Sequence, residues 1–519
     1  VSISTFYADL LWFRSVGYQS VWQTTLFTKA SLFIVVGLIT ALVVLLNVMI
    51  AYRNRPIYAP MAVEADNLER YRTQIEPRKK LFALGIFAFI FYVGGSSATP
   101  LWSTWLQFRN ATEFGVKDPQ YGLDISFFAF KLPMYQSIIG WATSTLIFGL
   151  IAAVIVHYLY SAIRLPQPGQ KLSTTGAAQV QLSVLLGLIV LTKAGSYWLD
   201  RYALTLKDGR LITGLTYTDV NAVLPAKAIL AAIAVICSIL FFANIIRRSW
   251  LLPAAGTALM VVSSVLIAGI YPSAIQQFQV KPSESSKEAP YIQRNIDATR
   301  AAYGLTEVEV QEYNATVSPN AGQLAGDAAT ISNIRLMDPN VLSATFRQLQ
   351  QIKPYYGFTE TLDIDRYTVN GVTRDAVVAV RELNIDGNPS RNWINDHLVY
   401  THGFGFVAAY GNTVDPDGKP NFIVGDLPPT KGLGDFEPRI YFGENSPEYS
   451  IIGGSKDNEP VEFDYPDDSS PSGQKNVTYS GTGGVPVGGL LNKLLFAIKY
   501  GEQRILLSSL INKDSKIDR

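Results

Sequence analysis

Six long apolar runs in the first half of the sequence constrain its fold more than any other feature. They cover roughly residues 27–51, 81–99, 136–163, 178–199, 223–246 and 250–274. A helix of about 20 apolar residues crosses the hydrocarbon core of a bilayer, so each run is long enough to span a membrane. The sequence therefore predicts an α-helical transmembrane bundle with six visible spans, occupying residues 1–274.

Charge divides the chain at the same point. Residues 1–274 carry 21 Lys and Arg against 11 Asp and Glu, whereas residues 275–519 carry 22 against 31. The first part is basic and apolar, and the second is acidic with the composition of a soluble domain. Neither part has the clustered basic residues typical of nucleic-acid binding, so no nucleic-acid partner is expected.

The connections between the runs alternate in charge. The connection 52–80 holds seven Lys and Arg, whereas 100–135 and 200–222 hold three each. By the positive-inside rule the more basic set is cytoplasmic, and the sixth span then leads outward. Residues 275–519 are therefore predicted to form an extracytoplasmic α+β domain, large enough to bury its own core.

An aromatic segment precedes the first run. Residues 4–22 are rich in Trp, Tyr and Phe, and their charge is limited to Asp9 and Arg14. Such a segment favours the outer membrane interface, and a core helix of a larger membrane domain is the alternative. On this topology the segment lies outside, which suits a seventh span upstream of Val1 in the full protein.

Short elements are predicted after residue 275. Two helices are expected, one over 284–305 with Pro290 in its first turn and one over 340–352 capped by Asp338 or Asn340. Asn370-Gly371 between alternating runs predicts a β-hairpin. Further predicted elements are strands at 397–409, 420–425, 438–442 and 448–452, an acidic loop at 458–484 and an amphipathic helix at 488–511. The C-terminus is expected to be truncated.

The stretch "HLVYTHGF" contains two of the three histidines in the chain, His397 and His402. On a strand, side chains five residues apart point to opposite faces, so the pair is not expected to share a metal ion. His402 has hydroxyl groups nearby in Tyr400 and Thr401, and a carboxylate from another strand would complete an acid–base group. A nucleophile elbow Gly-x-Ser-x-Gly is absent from the sequence, which weakens a hydrolase interpretation.

A second group of charged residues lies in "DIDRY" and "RDAVVAVREL". Its members, which on paired strands would form cross-strand ion pairs, are Asp365, Arg366, Arg374, Arg381 and Glu382. The alternative is that the arginines bind an acidic partner or a lipid headgroup. Asp365 and Glu382 are also the carboxylates considered as partners of His402.

Within the predicted bundle, Lys193 and Lys227 lie toward the outer ends of their spans, close in sequence to Tyr197 and Asp200. Such lysines extend to the membrane interface or mark a polar pathway. No metal site and no cofactor are predicted. Cys237 is the single cysteine, which excludes an intramolecular disulfide, and "NTVDPDGKPNFIVGD" lacks the Gly and the bidentate Glu of a calcium loop.

Several stretches together resemble uncharacterised protein family 0182. They are "DLLWFRSVGYQSVW", "DPQYGLDISFFAFKLP", "YTDVNAVLPA", "QFQVKPSESSKEAPYIQRNIDATRAAYGL", "IRLMDP", "DIDRY", "RELN", "NDHLVYTHGFGF" and "YFGE". The resemblance implies a longer, multi-pass protein of the bacterial cytoplasmic (inner) membrane with about seven spans and a large exported domain. It carries no established activity, although some members are encoded near PDZ-containing, Lon-like proteases.

Three functions follow as hypotheses. The first is an envelope scaffold or partner-binding subunit that contacts membrane lipids and other envelope proteins, a PDZ/Lon-like protease or a second copy of itself being the candidate partners. The second is a transporter or channel whose outer vestibule is marked by Lys193, Asp200 and Lys227. The third is an extracytoplasmic hydrolase.

Overall fold

The computed structural model describes residues 2–56, 71–164, 173–312, 317–318, 320–326, 334–429, 432–457 and 459–518. Parts of the predicted basic connections 52–80 and 164–177 lie outside the described residues. The chain forms two compact units, one of residues 24–311 and one that combines residues 1–23 with 312–519. We call them the helical unit and the mixed unit. The division into domains 1–274 and 275–519 stays a prediction.

The helical unit consists of long apolar helices. Six described helices are long and apolar enough to cross a membrane, namely Gln19–Arg53, Tyr71–Arg109, Phe127–Leu159, Gly176–Leu206, Asp219–Arg247 and Leu251–Ala302. The prediction of six such helices is confirmed. Within them the regular α-helical portions are Gln19–Arg53, Lys79–Ala98, Trp102–Arg109, Leu132–Leu159, Gly176–Ala203, Leu224–Arg247, Leu251–Ser263, Tyr271–Ala274 and Glu284–Ala302.

Small and polar residues hold these helices together. Ser238 Oγ donates to the carbonyl oxygen of Gly187 at 2.8 Å, and Asn244 Nδ2 donates to Ser183 Oγ at 2.7 Å. A Cβ atom at Gly187 would lie 2.7 Å from the Phe242 ring, so the glycine leaves room for that side chain. Close approach through small residues and interhelical hydrogen bonds is the usual basis of helix packing in lipid.

The sixth helix differs from the prediction. A helix beginning at 284 was expected, with Pro290 in its first turn, but the chain is helical from Leu251 to Ala302 without a break. Two π-helical segments, Ser264–Ile270 and Ile275–Val280, and a 3₁₀ turn, Lys281–Ser283, carry the helix past the predicted stop. Pro290 therefore lies inside the helix.

The mixed unit contains a four-stranded antiparallel sheet formed by Asp363–Val369, Val372–Val380, Phe406–Val414 and Pro420–Val424. The predicted hairpin is confirmed, because Val369 pairs with Val372 across Asn370 and Gly371. Both turn residues have positive φ, at 53° and 77°, as a type I′ turn requires. Phe346 on the helix Pro339–Gln350 packs against Phe422 on this sheet and against Phe358 outside it. Asp338 caps that helix by accepting from the Asn340 N–H at 3.0 Å.

The remaining described strands of the mixed unit are short. They are Tyr356–Gly357, Glu382–Leu383, Gly403–Phe404, Arg439–Ile440, Ser450–Ile452, Ser455–Lys456, Glu459–Pro460, Glu462–Pro466, Gln474–Val477, Val485–Pro486 and Lys516–Asp518. The other described helices are Ser2–Ser15, Ala321–Gly326, Leu490–Tyr500 and Arg504–Leu507.

A second apolar core forms around the N-terminal helix. Ala8 is buried, and Leu11 and Trp12 pack against the same cluster, which includes Phe496 and Ile517. The segment predicted to lie at the outer interface is therefore helical over Ser2–Ser15 and packs within the mixed unit.

Three predictions of local structure are wrong. The strand expected over 397–409 begins with a π-helical turn, Asn395–Val399, and only Gly403–Phe404 and Phe406–Val414 are strands. The acidic stretch 458–484 was predicted to be a loop, but Glu462–Pro466 and Gln474–Val477 pair as antiparallel strands. The helix expected over 488–511 breaks at Gly501, whose φ is +66°.

Candidate functional site

The mixed unit buries a group of polar side chains around His402, which we call the His402 cluster. Its members are Thr401, His402, Arg439, Tyr441, Glu462 and Asp464. Thr401 and His402 follow the π-helical turn Asn395–Val399, and Glu462 and Asp464 lie two residues apart on one strand. Residues two apart share a face of a strand, so both carboxylates reach the same cluster.

Each polar group in the cluster has a partner. Thr401 Oγ1 donates to Glu462 Oε2 at 2.9 Å and lies 3.0 Å from His402 Nδ1. His402 Nε2 lies 3.5 Å from Asp464 Oδ1. Arg439 donates to both oxygens of Asp464, at 2.7 and 2.8 Å, in the bidentate arrangement that favours arginine.

Backbone donors and aromatic rings complete the cluster. Glu462 Oε1 accepts from the N–H groups of Gly453 and Tyr479 at 2.8 and 2.9 Å. The Tyr441 hydroxyl donates to Glu462 Oε2 at 3.2 Å, and its ring lies over His402 with 4.4 Å between centroids. The cluster therefore joins segments that are distant in sequence.

The electrostatics of the cluster favour a charged, fixed arrangement. Burial by itself would raise the pKa of Asp464, but the hydrogen bonds from His402 and Arg439 outweigh it and hold the pKa below its usual value. Burial and the neighbouring Glu462 carboxylate raise the pKa of Tyr441, so this phenol stays protonated. The His402 side chain is 0% exposed and that of Asp464 is 1% exposed, so no substrate reaches the imidazole in this conformation.

His397 and Tyr400 lie outside the His402 cluster. The His397 ring stacks on Tyr449 at 4.0 Å, and its Nδ1 atom is 2.9 Å from the Tyr449 carbonyl oxygen. Burial lowers the pKa of His397 and favours the neutral ring. The Tyr400 ring packs against Tyr355 and Phe463, and burial raises its pKa.

Arg381 is the largest fully buried side chain of the described chain. Its guanidinium group donates to the carbonyl oxygens of Gln350 and Phe404 at 2.7 and 2.8 Å. Burial lowers its pKa to about 10, because desolvation disfavours the charged form. Gly405 has φ +101°, and a Cβ atom there would lie 2.4 Å from an Arg381 nitrogen, which explains why the "HGFGF" stretch needs a glycine at this position.

Glu382, the next residue, is also buried and begins the short strand Glu382–Leu383. Its carboxylate accepts from the Asn445 N–H at 2.6 Å, and it lies next to Gly443 in "YFGE". Arg381 and Glu382 therefore connect "RELN" to "HGFGF" and "YFGE", three stretches that carry the family resemblance. Neither residue belongs to the exposed hairpin.

The hairpin residues behave differently. Arg366 forms a cross-strand ion pair with Asp375, with 3.0 Å between Nε and Oδ1, and Arg374 lies over the Tyr410 ring. Asp365 is exposed and accepts from the Arg366 N–H at 2.8 Å. Asp365 and Glu382 were considered as partners of His402 from the sequence, but in the structure the carboxylate beside His402 is that of Asp464.

In the part of the chain that the structure describes, no group of three or more His, Cys, Asp or Glu side chains is arranged to hold a metal ion. The His402 cluster has one imidazole and two carboxylates, but Arg439 and the backbone N–H groups already occupy the carboxylate oxygens.

The helical unit contains an open cavity of about 440 Å³, which we call the Asp219 cavity. Asp219 is 1% exposed; it accepts from the Lys207 ammonium group at 2.7 Å and from the Thr216 hydroxyl at 2.8 Å. Gln276, Gln277 and Lys281 also line the cavity. Its lining holds two lysines, Lys207 and Lys281, against one carboxylate, so it carries a net positive charge.

Nearby contacts join the same segments. Glu288 is buried and accepts from the Tyr217 N–H at 2.9 Å, and Arg210 pairs with Glu284. The stretch "YTDVNAVLPA" thus packs against the extension of the sixth helix. This extension begins in "QFQVKPSESSKEAPYIQRNIDATRAAYGL", so two stretches that carry the resemblance meet at the Asp219 cavity.

A separate groove of about 290 Å³, the Lys193 groove, lies between two of the long helices. Lys227 pairs with Asp200 at 2.9 Å, and the ammonium groups of Lys193 and Lys227 lie 4.9 and 5.5 Å from the Tyr197 ring centroid. The structure therefore brings together all four predicted membrane residues. Lys193 and Asp200 line the groove with Gln136 and Thr143.

Comparison with known proteins matches the chain to the uncharacterised protein family UPF0182 over residues 1–518. The chain belongs to UPF0182. It is 47% identical over 518 residues to a UPF0182 protein of Streptomyces coelicolor, with 99% of this chain and 51% of that protein covered. It is also 47% identical to one of Frankia alni, covering 98% and 50%, and 43% identical to one of Thermobifida fusca, covering 99% and 56%.

The UPF0182 chain spans about half the length of the curated relatives it matches. No solved structure matches it. The family membership expected from the quoted stretches is thus confirmed, whereas activity, substrates and partners of the whole protein are not given by the family.

Sequence reasoning missed most of the His402 cluster in this UPF0182 chain. Asp464 and Glu462 lie in "EFDYP", where acidic and aromatic residues alternate with a period of two. That alternation signals a strand with one polar and one aromatic face, but the acidic composition around it favoured a loop. The Asp219–Lys207 pair had no sequence signal beyond its spacing.

Proposed function

We propose that this chain is a membrane-anchored, partner-binding subunit of the bacterial cell envelope. Its six long helices would form a multi-pass anchor in the cytoplasmic membrane, and the mixed unit would lie on the extracytoplasmic side. Lipids, other envelope proteins, a PDZ-containing Lon-like protease and a second copy of the chain are the proposed partners.

One observation carries this proposal. Among the mixed-unit side chains that suggested chemistry from the sequence, His402, Arg381 and Glu382 are buried and hydrogen-bonded within the protein. They stabilise the fold and are closed to a substrate. The Asp219 cavity, in contrast, is an open polar surface, where a partner's polar segment with an acidic side chain would meet Lys281.

Affinity purification from a mild-detergent membrane extract tests the proposal. We expect a stoichiometric partner to co-purify with the wild-type protein and with the control variant Lys419→Glu, which alters an exposed turn of the mixed unit. The variant Lys281→Glu should lose that partner, because the reversed charge repels an acidic segment. Absence of any stoichiometric partner, together with solute uptake by the reconstituted protein, would contradict the proposal.

A transporter is the second candidate, and the Lys193 groove favours it. Charged side chains among apolar spans are costly and often mark a transport pathway. Lys193 and Lys227 against Asp200 suit an anionic solute. On this hypothesis the reconstituted protein takes up such a solute, Lys193→Ala abolishes uptake, and Lys131→Ala, outside the groove, retains it.

A further inference from the structure

The helical unit contains a further cavity of about 190 Å³, which we call the Arg294 cavity. Three segments of this one compact unit line it, namely residues 118–120, residues 205–215 and positions 291–298 of the sixth helix. The first and the third belong to "DPQYGLDISFFAFKLP" and "QFQVKPSESSKEAPYIQRNIDATRAAYGL", two stretches that carry the family resemblance. The volume is smaller than that of drug-sized sites, which are about 300–1,000 Å³, and therefore suits a small ligand.

Hydrogen bonds from consecutive helix residues hold the walls of the Arg294 cavity together. Arg294 Nη1 donates to Gln120 Oε1 at 3.1 Å, and Asn295 Nδ2 donates to the carbonyl oxygen of Thr213 at 3.0 Å. Thr213 is itself paired with Asp208 in an antiparallel bridge. The cavity is therefore formed before a ligand binds, as is usual for small-molecule sites.

The Arg294 guanidinium group has hydrogen-bonding capacity to spare. It carries five N–H donors, and within the described residues it donates to the neutral Gln120 amide and forms no ion pair. The Tyr291 ring lies beside it, with 5.5 Å between the guanidinium carbon and the ring centroid. Because the guanidinium fork matches the two oxygens of a carboxylate, this wall suits the carboxylate of a ligand.

Asp118 carries the opposite charge in the same lining. Its Oδ2 atom accepts from the N–H groups of Gln120 and Tyr121 at 2.9 and 2.7 Å. Its Oδ1 atom makes no hydrogen bond with the described residues, and no lysine or arginine among them pairs with this carboxylate. Gln120 contacts both charged side chains, through its backbone N–H and its side-chain oxygen, so one small ligand could reach both.

Charge decides which ligand fits. Asp118 and Arg294 are the charged side chains among the described residues that line the cavity, so the lining has no net charge. A simple anion or a simple cation would leave one of the two groups without a partner, and such an unpaired group acts against binding. A ligand that carries both charges pairs with both.

We infer that the Arg294 cavity binds a zwitterionic amino acid. The carboxylate of the amino acid accepts from Arg294, its ammonium group donates to Asp118 Oδ1, and its side chain lies toward Ile212 and Leu215, which line the cavity. This site is separate from the Asp219 cavity, so the inference is independent of the proposed partner.

Thermal unfolding of the full chain in detergent, followed by titration calorimetry, tests the inference. The probes are the common L-amino acids, with acetate and ethylammonium as ligands of a single charge. Arg294→Gln and Asp118→Asn each remove one charge, and the asparagine retains an oxygen that can accept from the two turn N–H groups. Arg300→Gln and Asp297→Asn, at exposed positions of the same helix, are the matched controls.

We expect at least one amino acid to bind the wild-type protein and both control variants at a single site. Arg294→Gln and Asp118→Asn should bind it roughly tenfold more weakly or worse, because each loses a charge-assisted hydrogen bond. Acetate and ethylammonium should bind the wild-type protein more weakly by a similar factor.

Three results would overturn the inference. The first is that no amino acid binds the wild-type protein. The second is that acetate or ethylammonium binds as tightly as the amino acid, since the two charges would then not be recognised together. The third is unchanged affinity in Arg294→Gln and Asp118→Asn, which would place the ligand elsewhere. Unfolding of the ligand-free variants separates a lost site from a lost fold; if Asp118→Asn does not fold, Arg294→Gln and the single-charge ligands decide the outcome.

Discussion

Gly405 and Gly418 are residues with the same backbone requirement and different surroundings. Both have positive φ, at +101° and +78°, but a Cβ atom at Gly405 would lie 2.4 Å from the Arg381 guanidinium, whereas nothing lies within 4 Å of Gly418. We expect Gly418→Ala to cost about 1 kcal/mol from the backbone alone, and Gly405→Ala to cost roughly 2 kcal/mol more because a buried group must move. Urea denaturation of the purified protein measures the free energy of unfolding of both variants. Equal losses would show that Arg381 is not the reason why position 405 needs a glycine.

Asp464 gives a second prediction at the residue scale. Because its pKa is lower in the folded protein than in the unfolded chain, its contribution to stability is complete above the unfolded pKa, about 3.9, and is lost as the pH falls through the folded pKa. Asp464→Asn should therefore lower stability at neutral pH and flatten the acid limb of the stability–pH curve. Asp417→Asn, in an exposed turn, is the control; an unchanged acid limb in Asp464→Asn would contradict the role of the His402 cluster.

At the scale of elements, the contact between the Tyr217 N–H and the buried Glu288 carboxylate joins a connecting segment to the sixth helix. Removing the acceptor leaves a buried donor unpaired, which costs about 1–3 kcal/mol. We expect Glu288→Ala to speed amide hydrogen exchange in residues 207–223 by roughly tenfold or more, whereas Glu309→Ala, at an exposed position, should not. Amide hydrogen exchange measured by mass spectrometry in detergent would detect the difference. Equal exchange rates in the two variants would show that Glu288 does not hold this connecting segment on the sixth helix.

Elements whose pattern is local were predictable. The six apolar helices follow from length and hydropathy, and the hairpin follows from Asn370-Gly371, since both signals lie within the element itself. The strand Glu462–Pro466 was missed because its carboxylates are stabilised by Arg439 and by backbone donors elsewhere in the chain. His402 and Asp464 are 62 residues apart, and only the fold brings them together. The helix through residue 275 was missed because π-helical turns carry it past the polar residues that predicted a stop.

At the scale of the whole molecule, the helical unit has surfaces suited to lipid. In the most apolar 18-residue window of each long helix, only 17–44% of residues are buried within the protein, so most of these side chains face outward. Among them are Phe89 at 66% and Ile246 at 85% exposure. Large apolar area of this kind is stable in hydrocarbon and would aggregate in water. The mixed unit differs, because it buries charged groups in its interior, as in the His402 cluster.

The orientation of the whole molecule is the last prediction. In a Cys237→Ser background, single cysteines are placed at Asp417→Cys in the mixed unit and at Asn54→Cys, an exposed position in the basic connection after Gln19–Arg53. Since basic connections are retained on the cytoplasmic side, a membrane-impermeant maleimide should label Asp417→Cys in intact cells and Asn54→Cys only after permeabilisation. Labelling in the reverse order would show that the chain has the opposite orientation in the membrane. The Asp219 cavity would then have to bind a cytoplasmic partner.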